Sequence, residues 1–337
     1  MTKRRLTQKQ REHIQRIQQK RREQLTTRAD ETLRQYAEDA PREGRVVARH
    51  GQNLAVADSE GNIHHCLSRQ NIGHVVCGDR VVWQATEPGH GVVTTRQERT
   101  SVLARPDYSG RKKPLAANLT LLVIVVAPEP APSEYLLDQY LVTAETIGIP
   151  ALIAINKTDL ITGELGDIFN RRIQLYQDIG YPVERICART QHGLDPMIKR
   201  LKGETSILVG QSGVGKSSII NALLPDLDLQ VGRLSQATRL GRHTTSASTC
   251  YSLPTGGELI DSPGVRSFRL LKLPRKELEY GFREFRPFSG HCQFNDCKHL
   301  QEPGCAIKQA VERGEISQQR LDHFLHLAEA MPKGLGE

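Results

Sequence analysis

One octapeptide restricts this chain more than any other feature: Gly210-Gln-Ser-Gly-Val-Gly-Lys-Ser217. The pattern G-x-x-x-x-G-K-[ST] works only between a strand and a helix. There its glycines let backbone N–H groups turn inward around phosphate at the helix N-terminus. The flanks agree, because Ile207-Leu-Val209 reads as a strand end and Ser217–Leu224 as a helix. The loop residues Gly210, Gln211, Ser212, Gly213, Val214 and Gly215 are thus candidate phosphate contacts. Lys216 is expected to reach the β- and γ-phosphates and Ser217 to ligate Mg²⁺, with Ser218 beside it.

The surrounding pattern extends this to a fold class. Apolar strands over Leu119–Ala127, Ala151–Ile155, Val183–Ala188, Ser206–Val209 and Glu258–Ile260 alternate with helical stretches. One of these, Ser133–Ile147, is amphipathic with Ser133 as its expected N-cap. Such alternation predicts a parallel sheet wrapped by helices.

Two further motifs fall at strand ends. Asn156-Lys-Thr-Asp159 follows Ala151–Ile155 directly. The Asp159 carboxylate can accept from both N1–H and the 2-amino group of guanine, an arrangement adenine lacks, so ATP would leave polar groups unpaired. Lys157 can lay its stem over the base, Asn156 can pin the loop, and Thr158 lies between them. Asp159 therefore argues against an ATP-dependent kinase. Asp261-Ser-Pro-Gly264 follows Leu259-Ile260, so Asp261 can hold the Mg²⁺ shell and Gly264 can offer an N–H to the γ-phosphate.

Upstream, the chain reads differently. Five short β-rich runs between Gly44 and Leu103, punctuated by Gly, Asn and Asp, predict a small OB-like barrel. Residues 104–117 read as a linker. Residues 1–28 carry ten Lys/Arg against Glu12 and Glu23, which accounts for the whole formal charge of +8 and leaves 36 bases and 36 acids elsewhere. The protein is thus a neutral body with a basic arm, expected to be flexible when free and drawn to phosphate backbones.

The arm lacks the apolar core of a secretory signal, and no run reaches the roughly 20 apolar residues of a membrane span. At 337 residues, two or three domains are expected. Seven cysteines, four of them scattered, argue against a disulfide framework and for a reducing cytosol. The remaining three form Cys292-x₄-Cys297-x-His299-x₅-Cys305, suited to a closed tetrahedral zinc site, with His291 as an alternative to His299 on spacing alone.

The motif order is the distinctive point. In ordinary small GTPases the phosphate loop precedes N-K-x-D, whereas here Asn156–Asp159 comes first, then Gly210–Ser217, then Asp261–Gly264. With a barrel before and a Cys/His cluster after, the chain resembles the RsgA (YjeQ) family of circularly permuted GTPases over about residues 40–310. The resemblance implies a multidomain fold. It comprises a basic extension (1–35), an OB-fold barrel (36–105), a permuted Rossmann-like α/β P-loop GTPase domain (106–270) and a helical zinc-binding domain (271–337).

The resemblance also implies a cytoplasmic, monomeric GTPase without membrane contact. It would act in late maturation of the small (30S) ribosomal subunit, binding that subunit and its 16S rRNA, with hydrolysis stimulated there and coupled to release. Its cofactors would be Mg²⁺ with GTP and one structural zinc held by Cys292, Cys297, His299 and Cys305. Gly241-Arg-His-Thr-Thr245 resembles the first switch, where Thr244 or Thr245 reaches Mg²⁺, and the family pattern favours Thr245. Many GTPases carry a water-orienting Gln after the D-x-x-G motif, but this chain has Val265, so His243 becomes the candidate catalytic residue. Cys187-Ala188 stands where the class has Ser-Ala, and its backbone would complete the guanine pocket. The alternative reading is a non-enzymatic rRNA-docking protein in which GTP is a structural ligand.

Overall fold

In the computed structural model, residues 40–331 are described apart from 52, 70–71, 108–109, 134, 239–247 and 263–270, and the side chains of residues 50 and 233–238. The basic arm and the expected residues His243, Thr244, Thr245, Gly264 and Val265 lie outside the described residues. The chain divides into two compact units: Met1–Arg99 with Asp228–Cys250, and Thr100–Leu227 with Tyr251–Glu337.

The first unit is built on a closed five-stranded barrel. Its strands are β1 (Arg42–His50), β2 (Asn53–Ala57), β3 (Ile63–Ser68), β4 (Arg80–Glu87) and β5 (His90–Arg96). They pair in the cycle β1-β2-β3-β5-β4-β1, with only β3–β5 parallel. Val46, Leu54, Val56, Val81, Val93 and Trp83 fill the interior. Two glycines make room for that single indole. A Cβ on Gly91 would lie 2.6 Å from Trp83 Cε3, and one on Gly44 would lie 2.9 Å from Trp83 Nε1. Asp79, fully buried, is held by Arg99 Nε at 2.6 Å and by the Val76 N–H at 2.7 Å, which closes the barrel's end.

The second unit opens with β6 (Val102–Pro106) and β7 (Lys112–Ala117), an antiparallel hairpin where a linker was expected. The reason is local. Asp107 Oδ1 accepts the Arg111 N–H at 2.9 Å and Asp107 O accepts the Gly110 N–H at 3.1 Å. Gly110 supplies the positive φ of 79° that the turn needs. Small and apolar residues (Leu103, Ala104, Leu115, Ala116, Ala117) bury the hairpin's base.

The parallel sheet follows: β8 (Leu121–Val126), α1 (Leu136–Ile147), β9 (Ala151–Ile155), α2 (Gly163–Asp178), β10 (Val183–Arg185), α3 (Leu194–Leu201), β11 (Thr205–Val209) and α4 (Lys216–Leu223). The chain then returns to the first unit with α5 (Leu227–Thr238) and Thr249, the first residue of β12 (Thr249–Ser252), which pairs with Ala48 of β1; β13 (Glu258–Asp261) follows in the second unit. Within this second unit the order is β10-β9-β8-β11-β13, every neighbour parallel. The expected cap is absent: α1 starts at Leu136, and Ser133 offers its backbone carbonyl to the Leu136 N–H at 3.3 Å rather than a side-chain cap. All the strands run the same way, so β8, β9, β10, β11 and β13 deliver their following loops to one edge of the sheet.

Beyond β13 the same unit carries α6 (Arg275–Tyr280), a 3₁₀ segment (Arg283–Phe288), α7 (Ala306–Glu312) and α8 (Gln318–Glu329). Their core is Phe282, Phe285, Phe324, Leu278, Ile307 and Leu327, and it includes Val142 of α1. No described helix is long and apolar enough to cross a membrane.

Candidate nucleotide site and metal centre

The phosphate loop leaves β11 in a conformation only glycine allows. Gly210, Gly213 and Gly215 have φ values of 142°, 86° and 94°. A Cβ on Gly210 would lie 2.3 Å from Val125 O, and one on Gly215 would lie 2.2 Å from Asn156 Nδ2. The glycines thus serve close approach as well as curvature. Val214 is buried beneath the loop while Ser217 and Ser218 face outward on the first turn of α4. The Lys216 ammonium donates to Gly210 O at 2.8 Å and Gln211 O at 2.7 Å. Phosphate oxygens would compete with these carbonyls for the Lys216 donors and would also accept from the backbone N–H groups of the loop and helix start.

Asn156, only 2% exposed, joins three loops. Its Nδ2 donates to Val214 O in the phosphate loop at 2.9 Å, and its Oδ1 accepts the Ala188 N–H at 3.1 Å from the loop after β10. Lys157 takes the left-handed conformation (φ 60°) and donates to Glu129 O at 2.9 Å. Thr158 Oγ1 donates to Ile186 O at 3.2 Å.

The Asp159 carboxylate, the expected guanine reader, is held at both oxygens. The Cys187 thiol donates to Oδ1 at 3.1 Å, and Arg189 Nη2 donates to Oδ2 at 2.9 Å. The Cys187 hydrogen bond, helped by the charges of Arg189 and Lys157, holds Asp159 below the usual carboxylate range. Cys187 thus makes a side-chain contact to Asp159, where the expectation was a backbone contribution to the guanine pocket. Arg189 was not singled out in the sequence, where a lone surface arginine two residues past Cys187 carries no signal.

Asp261 ends β13, the parallel neighbour of β11, and Ser217 stands on the first turn of α4, beyond the loop that β11 feeds. A hydroxyl and a carboxylate beside a cradle that a Cβ would fill are the oxygen donors Mg²⁺ with a nucleoside triphosphate requires, so the residues fit that cofactor.

The Cys/His cluster also closes. The ligand atoms of Cys292, Cys297, His299 and Cys305 all lie within 4.8 Å of one another. Cys292 Sγ is 4.0 Å from Cys305 Sγ, while His299 Nδ1 is 3.7, 3.5 and 3.3 Å from the sulfurs of Cys292, Cys297 and Cys305. Tetrahedral zinc with ordinary bond lengths sets sulfur–sulfur edges of about 3.8 Å and sulfur–nitrogen edges of about 3.6 Å. The cluster fits that ion.

His299 Nε2 faces Glu279 Oε2 at 3.2 Å, which assigns the proton to Nε2 and leaves Nδ1 as the ligating atom. His299, not His291, is thus the imidazole of the cluster. Burial pushes the Cys297 thiol up to about 12, and burial likewise raises Cys305, so metal binding must displace protons.

A G-x-x-x-x-G-K-S loop after β11, an N-K-x-D loop after β9 that precedes it in the chain, and an acid at the end of β13 define a circularly permuted P-loop GTPase. The RsgA GTPase family model matches residues 96–271. The chain is 45% identical to the small ribosomal subunit biogenesis GTPase RsgA of Hahella chejuensis, over 98% of this chain and 97% of the relative. It is 48% identical to the protein of that name from Chromohalobacter salexigens over 86% of each. Among solved structures, YjeQ from Thermotoga maritima superposes with a TM-score of 0.72 at 31% identity, covering 88% of this chain and all of that one. YloQ, described as a circularly permuted GTPase, gives 0.69 at 31% identity, covering 87% and 97%. The chain belongs to the RsgA GTPase family, and it is an enzyme rather than a docking protein with a structural nucleotide.

Proposed function

We propose that the protein hydrolyses GTP to GDP and phosphate during late maturation of the small (30S) ribosomal subunit, binding the subunit and its 16S rRNA in the cytoplasm as a monomer. Hydrolysis is stimulated on the subunit and coupled to release. One observation carries this reading: a relative named as a small ribosomal subunit biogenesis GTPase matches 98% of this chain and 97% of its own length. In this reading residues 36–105 are the barrel, 106–270 the GTPase domain and 271–337 the zinc-binding domain.

Ser217, Thr245 and Asp261 would hold Mg²⁺, which would supply charge neutralisation at the phosphates; Lys216 would face the β- and γ-phosphates, and Gly264 would give its N–H to the γ-phosphate. Val265 has no group to orient water, so His243 takes that task. Zinc at Cys292, Cys297, His299 and Cys305 is structural. The basic arm tethers the protein to rRNA phosphates, a term that weakens as salt rises.

The test is GTP turnover titrated with purified small subunits at low and high salt, with His243→Ala alongside. Turnover should rise with subunit concentration, less so at high salt, and fall in the variant. Turnover indifferent to small subunits would refute the assignment.

A further inference from the structure

Helix α1 touches the nucleotide loops at one end and the C-terminal helices along one side. At its head, the Gly210 backbone hydrogen-bonds the Tyr140 hydroxyl and Gln211 Oε1 accepts the Ser133 N–H at 3.2 Å. The preceding Glu129 carbonyl receives Lys157 at 2.9 Å. Lys157, Gln211 and Gly210 are the residues a guanine nucleotide engages, so its arrival changes what the start of α1 is bonded to.

Two turns apart, α1 also projects two carboxylates at the C-terminal helices. Asp138 is completely buried and is bonded by Arg320 and His323 of α8, and by the Tyr176 hydroxyl of α2 at 3.0 Å. Arg320, equally buried, continues to Glu284 at 2.5 Å through Nε and lies 4.4 Å over the Phe282 ring. Glu145 takes Arg283 at 2.7 and 3.0 Å, Arg286 at 2.5 Å and the Tyr181 hydroxyl at 3.1 Å. Between them Val142 packs against Gly281, where a Cβ would meet its Cγ1 at 2.7 Å. Buried ion clusters are poor sources of net stability but intolerant of displacement, because moving one partner strands the other without water. Docking of this kind holds α1 in one position relative to the C-terminal helices.

Resting on the nucleotide site described above, we propose that Arg283, Arg286 and Arg320 are positioning residues for guanine nucleotide binding, acting through Glu145 and Asp138 on α1. The free energy that seats the C-terminal helices holds the Glu129–Ser133 lead-in against the phosphate and guanine loops. By linkage, nucleotide binding tightens those helices in return. This route runs through α1 and is separate from the chain connection after Asp261.

The test measures mant-GDP affinity of the full-length, zinc-loaded protein with Mg²⁺, and hydrogen exchange of residues 318–329 with and without GDP. The perturbation is Glu145→Ala, whose partners Arg283 and Arg286 keep about a third of their side chains in solvent, with Arg283→Met as an independent second variant. Each should weaken mant-GDP by about fivefold or more, at the low end of ordinary site-to-site coupling. GDP should slow exchange in 318–329 of the parent, and that response should shrink in both variants. A lowered melting temperature with affinity within twofold of the parent would reduce the cluster to a structural staple and overturn the proposal, as would exchange in 318–329 that ignores GDP in the parent. Failure of the parent itself to bind mant-GDP would instead overturn the nucleotide site on which the proposal stands.

Discussion

Replacing Asn156 tests the assembly of the nucleotide site most directly. Its amide is used in both senses: Nδ2 donates to Val214 O and Oδ1 accepts from the Ala188 N–H, and these partners admit only one orientation of the group. Asn156→Ala removes both bonds at a position 2% exposed, leaving a buried carbonyl and a buried N–H without that partner. Each stranded group costs about 1–3 kcal/mol, so the loss is roughly 2–6 kcal/mol, shared between folding and nucleotide affinity. If about half falls on affinity, GDP binding weakens by roughly 5- to 150-fold.

Asn156→Asp separates the two bonds. The carboxylate still accepts from Ala188 but faces Val214 O with a charge and no donor, and it sits beside Gly215 where the phosphates approach. It should therefore bind GDP more weakly than Asn156→Ala despite its closer shape. Calorimetric titration of GDP into each variant, with thermal unfolding in saturating GDP, measures both shares. Affinity for GDP within threefold of the parent in Asn156→Ala, or tighter binding in Asn156→Asp, would refute the claim that this amide ties the loops together.

Three further outcomes follow from the same geometry. The Cys187 hydrogen bond and the Arg189 charge lower the Asp159 pKa, so its contribution is complete above the ordinary carboxylate range and is lost as pH falls through the lowered folded value. GDP affinity should accordingly show no Asp159 titration between about pH 5 and 8, and IDP, which lacks the 2-amino group, should bind more weakly throughout, as a fluorescence competition assay will read. Zinc must displace protons from the raised thiols of Cys297 and Cys305, so chelator competition should show zinc affinity climbing with pH, while Cys305→Ser should lose stoichiometric metal. Deleting residues 1–28 removes the whole net charge of +8, and it should weaken small-subunit binding and flatten its salt dependence while leaving GDP affinity unchanged.

The chemistry was legible in the sequence because each of its parts is local. A phosphate loop is a strand, a glycine-rich turn and a helix start in one short stretch, and the N-K-x-D loop and the Cys/His spacing are equally self-contained. Their order along the chain even revealed the permutation, since the sheet needs β11 beside β8 and β13 in space whatever the connectivity. The barrel's five strands were readable from alternation and turn residues for the same reason. Local reading fails where a turn and a break share the same residues: Asp107 and Gly110 close a hairpin instead of loosening a linker.

Sequence alone therefore determined the class of fold and the motifs that make candidate base-reading, phosphate-binding and metal-binding groups, while the spacing left His291 open beside His299. Only the tertiary structure decided which distant groups complete them. It set Asn156 between Val214 and Ala188, turned Arg189 onto Asp159, aimed Glu279 at His299 and buried Arg320 against Asp138. Those contacts join residues far apart in the chain. Their energies depend on burial and on the alignment of two or three groups at once, and neither quantity is encoded in any local run of residues.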